Sequence, residues 1–464
     1  MEQHSILSSF GMLSILLLLT VQQATATATG SLRSRWKSSF LEDTKDDVLT
    51  LTDIPSDQIA SHKAYCLDGS SYKYHFRPAL DPAHANDYVL YFTGGGWCYN
   101  EDFCKERAKT PLGSSRNWTD ISRPPILLSN NALNNPLFYG YNHVLLGYCD
   151  GASFTGNQES PSAENGLWYR GLHNLQAVME HLFGQPDHPT KEVDNLLITG
   201  CSAGGLATYL HADSIRGLFP EAKVKALPES GFFWFHNSVE GIPVYEQELK
   251  SVFVLQNSTK GVNSQCIDTL PKEDHYKCIS AATTLQFLET PILILNSIYD
   301  SWNLACGMAA TSKGCSKAPG WSDCLQNGSM MQCNQTQFQS IWDWGDAMLE
   351  DVVRSLVLVR PENGVFLHSC WTHCDLSNGG YNHDIMNRLS IDGTSFGQAL
   401  HDWWFYEELQ HDSKYLHRQM PRSLFWPCKV RFETPHQCNP TCPKGTLYGI
   451  FNGTFERDWY ESVQ

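Results

Sequence analysis

A serine between glycines is the residue best suited to covalent chemistry in this sequence. Residues Gly200–Gly204 read Gly-Cys-Ser-Ala-Gly, after the strand-like run Leu196–Thr199 and before a segment with helical apolar spacing at 206–211. A strand, a sharp turn and a helix in this order hold the central serine at the tip, and the glycines permit close backbone approach. We therefore predict that Ser202 is a nucleophile, with the backbone N–H of Ala203 directed at a developing oxyanion. The alternative is an ordinary strand-to-helix turn with a capping serine.

A glycine-rich loop is the second candidate element of such a site. The run Tyr88–Phe92 is typical of a buried strand, and Gly94–Gly96 and Trp97 follow it. Three glycines after a strand let backbone N–H groups approach a ligand closely, and a loop of this kind supplies the other half of an oxyanion hole. We expect the N–H groups of Gly96 and Trp97 to serve in this way. The alternative is a flexible turn that binds nothing.

An acidic residue follows a later strand. The run Thr290–Asn296 is apolar and strand-like, and Asp300 lies just beyond it. A nucleophilic serine needs a base whose imidazole is oriented by a carboxylate, and Asp300 comes after Ser202 in the chain, which is the order serine, acid, histidine. The alternative role for Asp300 is to cap a turn.

Three histidines compete for the role of general base. His368 ends the strand-like run Gly364–His368, and His373 and His383 follow it, where a loop could return to the serine. Position favours His373, because it lies between two cysteines that could lock the loop. For each histidine the alternative is a packing or hydrogen-bonding role.

Two further stretches leave structure and function equally open. Asp150 and Ser153 lie in a polar loop after the strand-like run Val144–Tyr148, where ligands bind in open α/β sheets, but a structural turn explains them as well. The aromatic stretch Pro228–Trp234 could line a pocket or form plain core.

Strand-like runs alternate with segments of helical spacing along the chain, which favours an α/β fold. We expect one catalytic domain over 47–464, with a cap-like insertion near 239–284, preceded by a flexible lead-in at 29–46.

The amino terminus indicates export. The run Ile6–Val21 is largely apolar, and two Ala-x-Ala patterns at 24–28 fit a cleavage site, so we assign 1–28 as a signal peptide. The run lacks an upstream Lys or Arg, and an uncleaved membrane anchor is the alternative. Five glycosylation sequons agree with secretion: Asn117, Asn257, Asn327, Asn334 and Asn452.

Sixteen cysteines in an exported chain predict disulfides rather than reduced thiols or zinc ligands. We expect Cys98 to pair with Cys104, and local pairing within two further sets, which are Cys306, Cys315, Cys324, Cys333 and Cys428, Cys438, Cys442. Cys201, inside the turn that presents Ser202, is expected to be a free, buried thiol. A formal net charge of −16 argues against nucleic acid as a partner.

Several motifs, in the same order along the chain, resemble the pectin acetylesterase family, which shares its fold with Notum-type deacylases. They are Gly-Gly-Gly-Trp-Cys at 94–98, Tyr-Cys-Asp-Gly-Ala-Ser-Phe at 148–154, Gly-Cys-Ser-Ala-Gly-Gly at 200–205, Tyr-Asp-Ser-Trp at 299–302, Cys-Trp-Thr-His-Cys at 370–374 and the closing Cys-Asn-Pro-Thr-Cys at 438–442. The resemblance spans roughly residues 50 to 445. One departure is Pro-Glu-Ser-Gly at 228–231, where the family leads us to expect Asp-Ala-Gly-Phe or Asp-Ser-Gly.

The resemblance implies an α/β-hydrolase fold, a mostly parallel central sheet flanked by helices. It also implies Ser202 as nucleophile, Asp300 as acid and His373 as base, with an oxyanion hole at Gly96, Trp97 and Ala203. It implies no metal or cofactor, and release of acetate from acetylated galacturonan (pectin) in a cell wall by a secreted enzyme, which we expect to be a monomer without stable membrane association after signal cleavage. The alternatives are a Notum-like removal of a fatty acyl group from a secreted signalling protein, and a catalytically silent binding protein on the same scaffold.

Overall fold

A computed structural model describes residues 47–185, 188–325, 332–357, 360, 362–377, 384–411, 425–427 and 442. The predicted signal peptide and lead-in lie outside these residues, and so do His383, Cys428 and Cys438. No helix within the described residues is both long enough and apolar enough to cross a bilayer.

Nine strands of the described chain form one sheet. In chain order they are β1 (Thr50–Asp53), β2 (Lys73–Arg77), β3 (Asp87–Phe92), β4 (Asn142–Leu146), β5 (Asn195–Cys201), β6 (Lys223–Glu229), β7 (Leu293–Ser297), β8 (Gly364–His368) and β9 (Phe425–Pro427). Their order across the sheet is β1-β2-β4-β3-β5-β6-β7-β8-β9. Strands β1 and β2 pair antiparallel, and β3 to β9 run parallel to one another. This mostly parallel sheet with its two crossed-over strands confirms the expected α/β-hydrolase architecture.

Helices cover the sheet on both sides. The longer ones are α1 (Ser56–His62), α2 (Glu101–Arg107), α3 (Gly171–Phe183), α4 (Ala203–Arg216), α5 (Val244–Leu255), α6 (Ser264–Thr269), α7 (Gln335–Val357), α8 (Phe396–Trp404) and α9 (Tyr406–His411). Short helical turns at Lys272–Ile279 and Ala281–Thr284 follow α5 and α6, so the expected insertion near 239–284 is helical.

Alternation along the strands divides the core into two layers. Leu90 and Ile198 face the side that also holds the buried residues of α3 and α4. Their neighbours Val89 and Leu197 face the opposite side, together with Trp403 of α8. Because successive strand residues point to opposite faces, strands that are apolar throughout must be covered on both, as the composition of β3 and β5 requires.

Seven disulfides join cysteines in the described part of the chain. The Cys98–Cys104 bridge confirms the expected local pair. The set between 306 and 333 pairs within itself, as predicted. Two more bridges are Cys66–Cys149 and Cys266–Cys278.

Two cysteine predictions are wrong. Cys442 bonds to Cys370 rather than to a neighbour in the closing set. Cys201 is not a free thiol, because it is bonded to Cys374. Both errors have one cause: the partners are 72 and 173 residues apart, and only the sheet brings them together.

Candidate active site

The predicted turn lies between β5 and α4, at the carboxyl end of the parallel strands. Ser202 occupies it with a φ of 60° and a ψ of −126°, a backbone conformation that non-glycine residues rarely adopt. A Cβ at Gly204 would lie 2.1 Å from the carbonyl oxygen of Phe92, so only glycine allows α4 to start so close to β3. Ser202 is 8% exposed, which leaves its hydroxyl near the surface of an otherwise buried turn. The tight turn and the close glycine contact are those predicted from the sequence.

The glycine-rich loop after β3 packs directly on this turn. A Cβ at Gly94 would lie 2.3 Å from the carbonyl oxygen of Cys201 and 2.8 Å from Cβ of Ser202. Gly95 and Gly96 have positive φ angles of 139° and 63°, which turn the chain across the front of the serine. The three glycines are therefore needed for contact and for backbone direction.

Three backbone N–H groups, two in the glycine-rich loop and one directly after Ser202, are the candidates for binding an oxyanion. Within the described residues, those of Gly96, Trp97 and Ala203 donate to no protein acceptor. Ala203 is the first residue of α4, where the helix leaves its N–H groups unpaired and carries partial positive charge. These are the three N–H groups that we predicted from the sequence to form an oxyanion hole.

A hydrogen-bond network fixes this loop to α4. Ser153 Oγ donates to the carbonyl oxygen of Ala203 (2.7 Å) and accepts from the indole Nε1 of Trp97 (2.8 Å). The hydroxyl of Tyr148 donates to the carbonyl oxygen of Gly96 (2.8 Å) and accepts from the N–H of Ser153 (3.0 Å). Ser153 is buried, so its role is to hold the two halves of the candidate oxyanion hole, rather than to contact substrate.

An arginine that the sequence did not single out supports the same loop. Arg107 Nη1 donates to the carbonyl oxygen of Gly95 (2.8 Å), and its guanidinium lies over the ring of Tyr148 at 4.9 Å. Burial raises the pKa of nearby Asp150 to about 6, although the charge of Arg107 opposes this shift. Asp150 accepts from the N–H groups of Ala152 and Phe154, so it too is structural. No local motif surrounds Arg107, and only the folded chain reveals its contact.

Asp300 and His373, the predicted acid and base, are hydrogen-bonded to each other. Asp300 follows β7 and is fully buried. Its Oδ2 lies 2.8 Å and its Oδ1 3.0 Å from Nδ1 of His373. Oδ1 also accepts from the N–H groups of Trp302 and Asn303, both at 3.0 Å. These donors orient the carboxylate, which in turn orients the imidazole with its proton on Nδ1.

The other ring nitrogen of His373 is unpaired. Nε2 is buried and has no hydrogen-bond partner among the described residues. Trp302, which is 38% exposed, stacks on the same imidazole at an interplanar angle of 25° and a centroid distance of 5.9 Å. The carboxylate and the tryptophan thus fix two sides of the ring, and Nε2 remains free to accept a proton.

The Cys201–Cys374 disulfide joins the loop of His373 to the turn of Ser202. Cys201 directly precedes Ser202, Cys374 directly follows His373, and the bridge holds their Cα atoms 5.7 Å apart. This covalent link joins residues 173 positions apart and was not predicted. It also removes a possible metal site, because Cys201, His373 and Cys374 place ligand atoms within 4.8 Å of one another but both sulfurs are consumed by the bridge.

The competing histidine, His368, contacts Cys370 and Asp375 instead of Asp300. It is buried at the end of β8, where Nδ1 accepts from the N–H of Cys370 (3.2 Å) and Nε2 lies 3.2 Å from Oδ2 of Asp375. It therefore stabilises the loop that carries His373. The third candidate, His383, falls outside the described residues.

Aromatic side chains pack behind the oxyanion loop. Trp97 and Phe233 meet edge to face at 4.7 Å, and Tyr245 contacts both at 6.3 and 5.4 Å. All three are buried, and the stretch 232–234 belongs to the core. The hydroxyl of Tyr245 also donates to Asn303 Oδ1 (3.0 Å), which links this cluster to the turn of Asp300.

Comparison with known proteins agrees with this architecture. The family model described as Pectinacetylesterase matches residues 43–443. Pectin acetylesterase 7 of Arabidopsis thaliana is 30% identical over 382 residues, which cover 82% of this chain and 89% of the relative. Palmitoleoyl-protein carboxylesterase NOTUM of Schmidtea mediterranea is 25% identical over 428 residues, covering 86% and 74%.

A solved structure shares the fold. The Wnt deacylase Notum from Drosophila superposes with a TM-score of 0.62 at 22% sequence identity, covering 85% of this chain and 99% of that one. The family resemblance seen in the motifs is thus confirmed over most of the sequence, and the named relatives are esterases. The chain belongs to the pectinacetylesterase family.

Proposed function

We propose that this protein is a secreted serine carboxylesterase that removes acetyl groups from pectin through an acyl-enzyme. One observation carries the proposal. The imidazole of His373 binds the Asp300 carboxylate through Nδ1 and keeps Nε2 unpaired, while a disulfide joins the residue after it to the residue before Ser202. This arrangement supports a general base beside a nucleophile.

The reaction has two acyl-transfer steps. Nε2 of His373 takes the hydroxyl proton of Ser202 as Oγ bonds to the acetyl carbon, and the carbonyl electrons move onto oxygen. When the tetrahedral intermediate collapses, the ester C–O bond breaks and the proton passes from Nε2 to the departing sugar oxygen. Water then attacks the acetyl-serine, giving its proton to Nε2, which returns it to Ser202 as acetate leaves.

The loop N–H groups stabilise the negative charge that develops on the acetyl oxygen. Donors at Gly96, Trp97 and Ala203 are already fixed by the Ser153 and Tyr148 network, so they need no reorganisation during the reaction. Each such donor contributes a factor of about 10²–10³ to the rate.

Packing around the loop supports a short acyl group. Trp97, Phe233 and Tyr245 fill the region next to the oxyanion donors, so a long chain could enter there only by displacing buried aromatic rings. The Arabidopsis relatives are named as pectin acetylesterases, whereas the Notum relatives are named as palmitoleoyl-protein carboxylesterases. Together these points favour acetate over a fatty acid.

An exposed aromatic face supports a sugar polymer as the alcohol part. Trp302 stands beside His373, and its ring lies 3.8 Å from the position of a Cβ on Gly96. It therefore borders both the base and the oxyanion donors, where an apolar sugar face could stack on it.

The decisive experiment measures acetate released from acetylated pectin, with acetylated xylan as the comparison polymer and Ser202→Ala as the control. We expect release from pectin that Ser202→Ala abolishes without unfolding the chain. Full activity of Ser202→Ala would refute the serine mechanism. A series of p-nitrophenyl esters from acetate to palmitate tests the acyl length, and a preference for long chains would favour the deacylase.

A serine-reactive phosphonate distinguishes an enzyme from a silent binding protein. Labelling of the wild-type protein and not of Ser202→Ala is expected, whereas no labelling of either would favour a binding role. Secretion agrees with the disulfides and the predicted signal peptide. Amino-terminal sequencing of protein recovered from culture medium tests export and cleavage, and size-exclusion chromatography tests the monomer.

A further inference from the structure

The end of β6 touches both catalytic segments. The carbonyl oxygen of Glu229 accepts from the N–H of Ser202 at 3.1 Å. The side chain of the same residue reaches the loop of the base, where Oε1 accepts from the N–H of Leu376 and Oε2 accepts from Oγ of Ser377 at 3.4 Å. One residue thus links the backbone of the nucleophile to the segment that carries the imidazole.

The next residue adds a second link. Ser230 Oγ accepts from the N–H of Cys374, the neighbour of His373, at 3.0 Å. The backbone N–H of Ser230 donates to the carbonyl oxygen of Leu295 in β7 at 2.9 Å, and its φ is 46°. Both Ser230 and Glu229 are buried, and each supplies a side-chain acceptor to a loop N–H that has no strand to pair with. Because a buried N–H left unpaired is costly, each contact restrains the loop.

We propose that Glu229 and Ser230 are positioning residues that hold the segment Cys374–Ser377 against β6 and so set the place of His373 relative to Ser202. The inference rests on the proposed serine mechanism. It gives a role to the sequence departure at 228–231: glutamate has one more methylene than the expected aspartate, and it is this longer side chain that reaches Leu376. Neither residue contacts the reacting atoms, so both act through His373.

The surroundings of Glu229 affect the protonation of its carboxyl group. Burial raises the pKa of Glu229 well above its ordinary value, and the carboxylates of Asp375 and Asp300 raise it further. The N–H of Leu376 and the hydroxyl of Ser377 oppose this shift. Tyr91 also faces the group, with its hydroxyl bonded to Ser377. These surroundings favour the uncharged carboxyl over the carboxylate, and glutamine copies the shape of that form and keeps the oxygen that accepts from Leu376.

The sign of the pH effect follows from that shift. The pKa of Glu229 is higher in the folded than in the unfolded state. Its contribution to the free energy of unfolding is therefore complete at pH values below the unfolded-state pKa, and it is lost as the pH rises through the folded-state pKa. Ionisation of Glu229 as the pH rises would place a further carboxylate beside those of Asp375 and Asp300. Glu229→Gln cannot ionise, so its activity and stability should decline less than those of the wild type as pH is raised.

The test compares Glu229→Ala, Glu229→Gln and Ser230→Ala in the full, disulfide-bonded chain with p-nitrophenyl acetate. We expect Glu229→Ala and Ser230→Ala to lower kcat by about 10–10²-fold with little change in KM, because a displacement of about 1 Å in catalytic geometry costs about 10². Glu229→Gln should restore kcat to within about threefold of the wild type, and its activity should persist to higher pH than that of the wild type.

A matched control separates positioning from general destabilisation. Asn135 is buried, and its side-chain amide donates to the carbonyl oxygens of Leu127 and Ser129. Asn135→Ala removes comparable side-chain-to-backbone bonds away from the site, so it should lower the thermal midpoint and leave kcat unchanged. Wild-type kcat in Glu229→Ala and Ser230→Ala, or a Glu229→Gln no better than Glu229→Ala, would overturn the proposal.

Hydrogen exchange gives a readout that does not depend on activity. The amides of Cys374 and Leu376 should exchange faster in Ser230→Ala and Glu229→Ala respectively than in the wild type or Asn135→Ala. Unchanged exchange would refute the positioning role even if kcat fell. Faster exchange in a protein that lacks esterase activity would instead place the failure on the proposed function.

Discussion

Replacing Asp300 with asparagine tests the acid–base pair with almost no change in shape. In the wild type, Oδ1 accepts from the backbone N–H groups of Trp302 and Asn303 and lies 3.0 Å from Nδ1 of His373, whereas Oδ2 is bonded, among the described residues, to Nδ1 alone. In Asp300→Asn the carbonyl oxygen must take the Oδ1 position, because two backbone donors require an acceptor there. The amide NH₂ then occupies the Oδ2 position, 2.8 Å from Nδ1 in the wild-type geometry.

This orientation favours the wrong tautomer, because the shorter of the two contacts at Nδ1 then comes from a donor. An NH₂ donor facing Nδ1 makes that nitrogen an acceptor, so the imidazole proton moves to Nε2, which then cannot take the proton of Ser202. The same substitution in a serine protease triad lowers kcat about 10⁴-fold, and we expect a loss of this order here, which is about 5.5 kcal/mol of transition-state stabilisation. The assay is steady-state hydrolysis of p-nitrophenyl acetate at pH 7, with a thermal melt to verify folding. A folded Asp300→Asn that keeps more than a tenth of the wild-type kcat would refute the reasoning.

Four further predictions follow from contacts around the site. Gly94→Ala should abolish activity and lower the thermal midpoint, because its Cβ would lie 2.3 Å from a backbone oxygen; a normal melt would contradict this. Ser153→Ala should lower kcat about 10–10²-fold through the loss of both loop contacts, and unchanged steady-state kinetics would argue against a role for that network. Replacing Cys201 and Cys374 with serine should lower kcat and remove up to about 5 kcal/mol of stability, measured in urea, because the bridge closes a long loop. Burial lowers the pKa of His211 to about 4, so stability should fall by up to about 3 kcal/mol as pH drops from 6.5 toward 4, and His211→Gln should lack that fall in urea melts at the two pH values.

Sequence patterns predicted the elements of the site that depend on neighbours along the chain. The glycines around Ser202 and the strand before it indicate a tight turn whatever the rest of the fold does. Asp300 was placed beyond a strand end for the same reason, and the Cys98–Cys104 pair needed only a short loop. In each case the physical cause lies within a few residues: a φ that only certain residues tolerate, a Cβ that would collide, or a short loop to close.

The choice between His368 and His373 as the general base could not be made from neighbouring residues alone. His368 and His373 are five residues apart and share the same kind of surroundings in the sequence. The structure separates them, because one imidazole lies against Asp375 and the other against Asp300, which is 73 residues away from His373. Position between two cysteines favoured His373, and the fold alone shows that these cysteines bond to Cys442 and Cys201.

Contacts across strands were decided by the tertiary structure alone. The order of strands places β6 and β8 on either side of β7, so Glu229 can reach Leu376 and Cys201 can bond to Cys374. Nothing within a few residues of either partner encodes such a meeting. The sequence by itself determined which residues could do the chemistry, and the fold determined which of them meet, because pairing between distant residues depends on how the whole sheet is assembled.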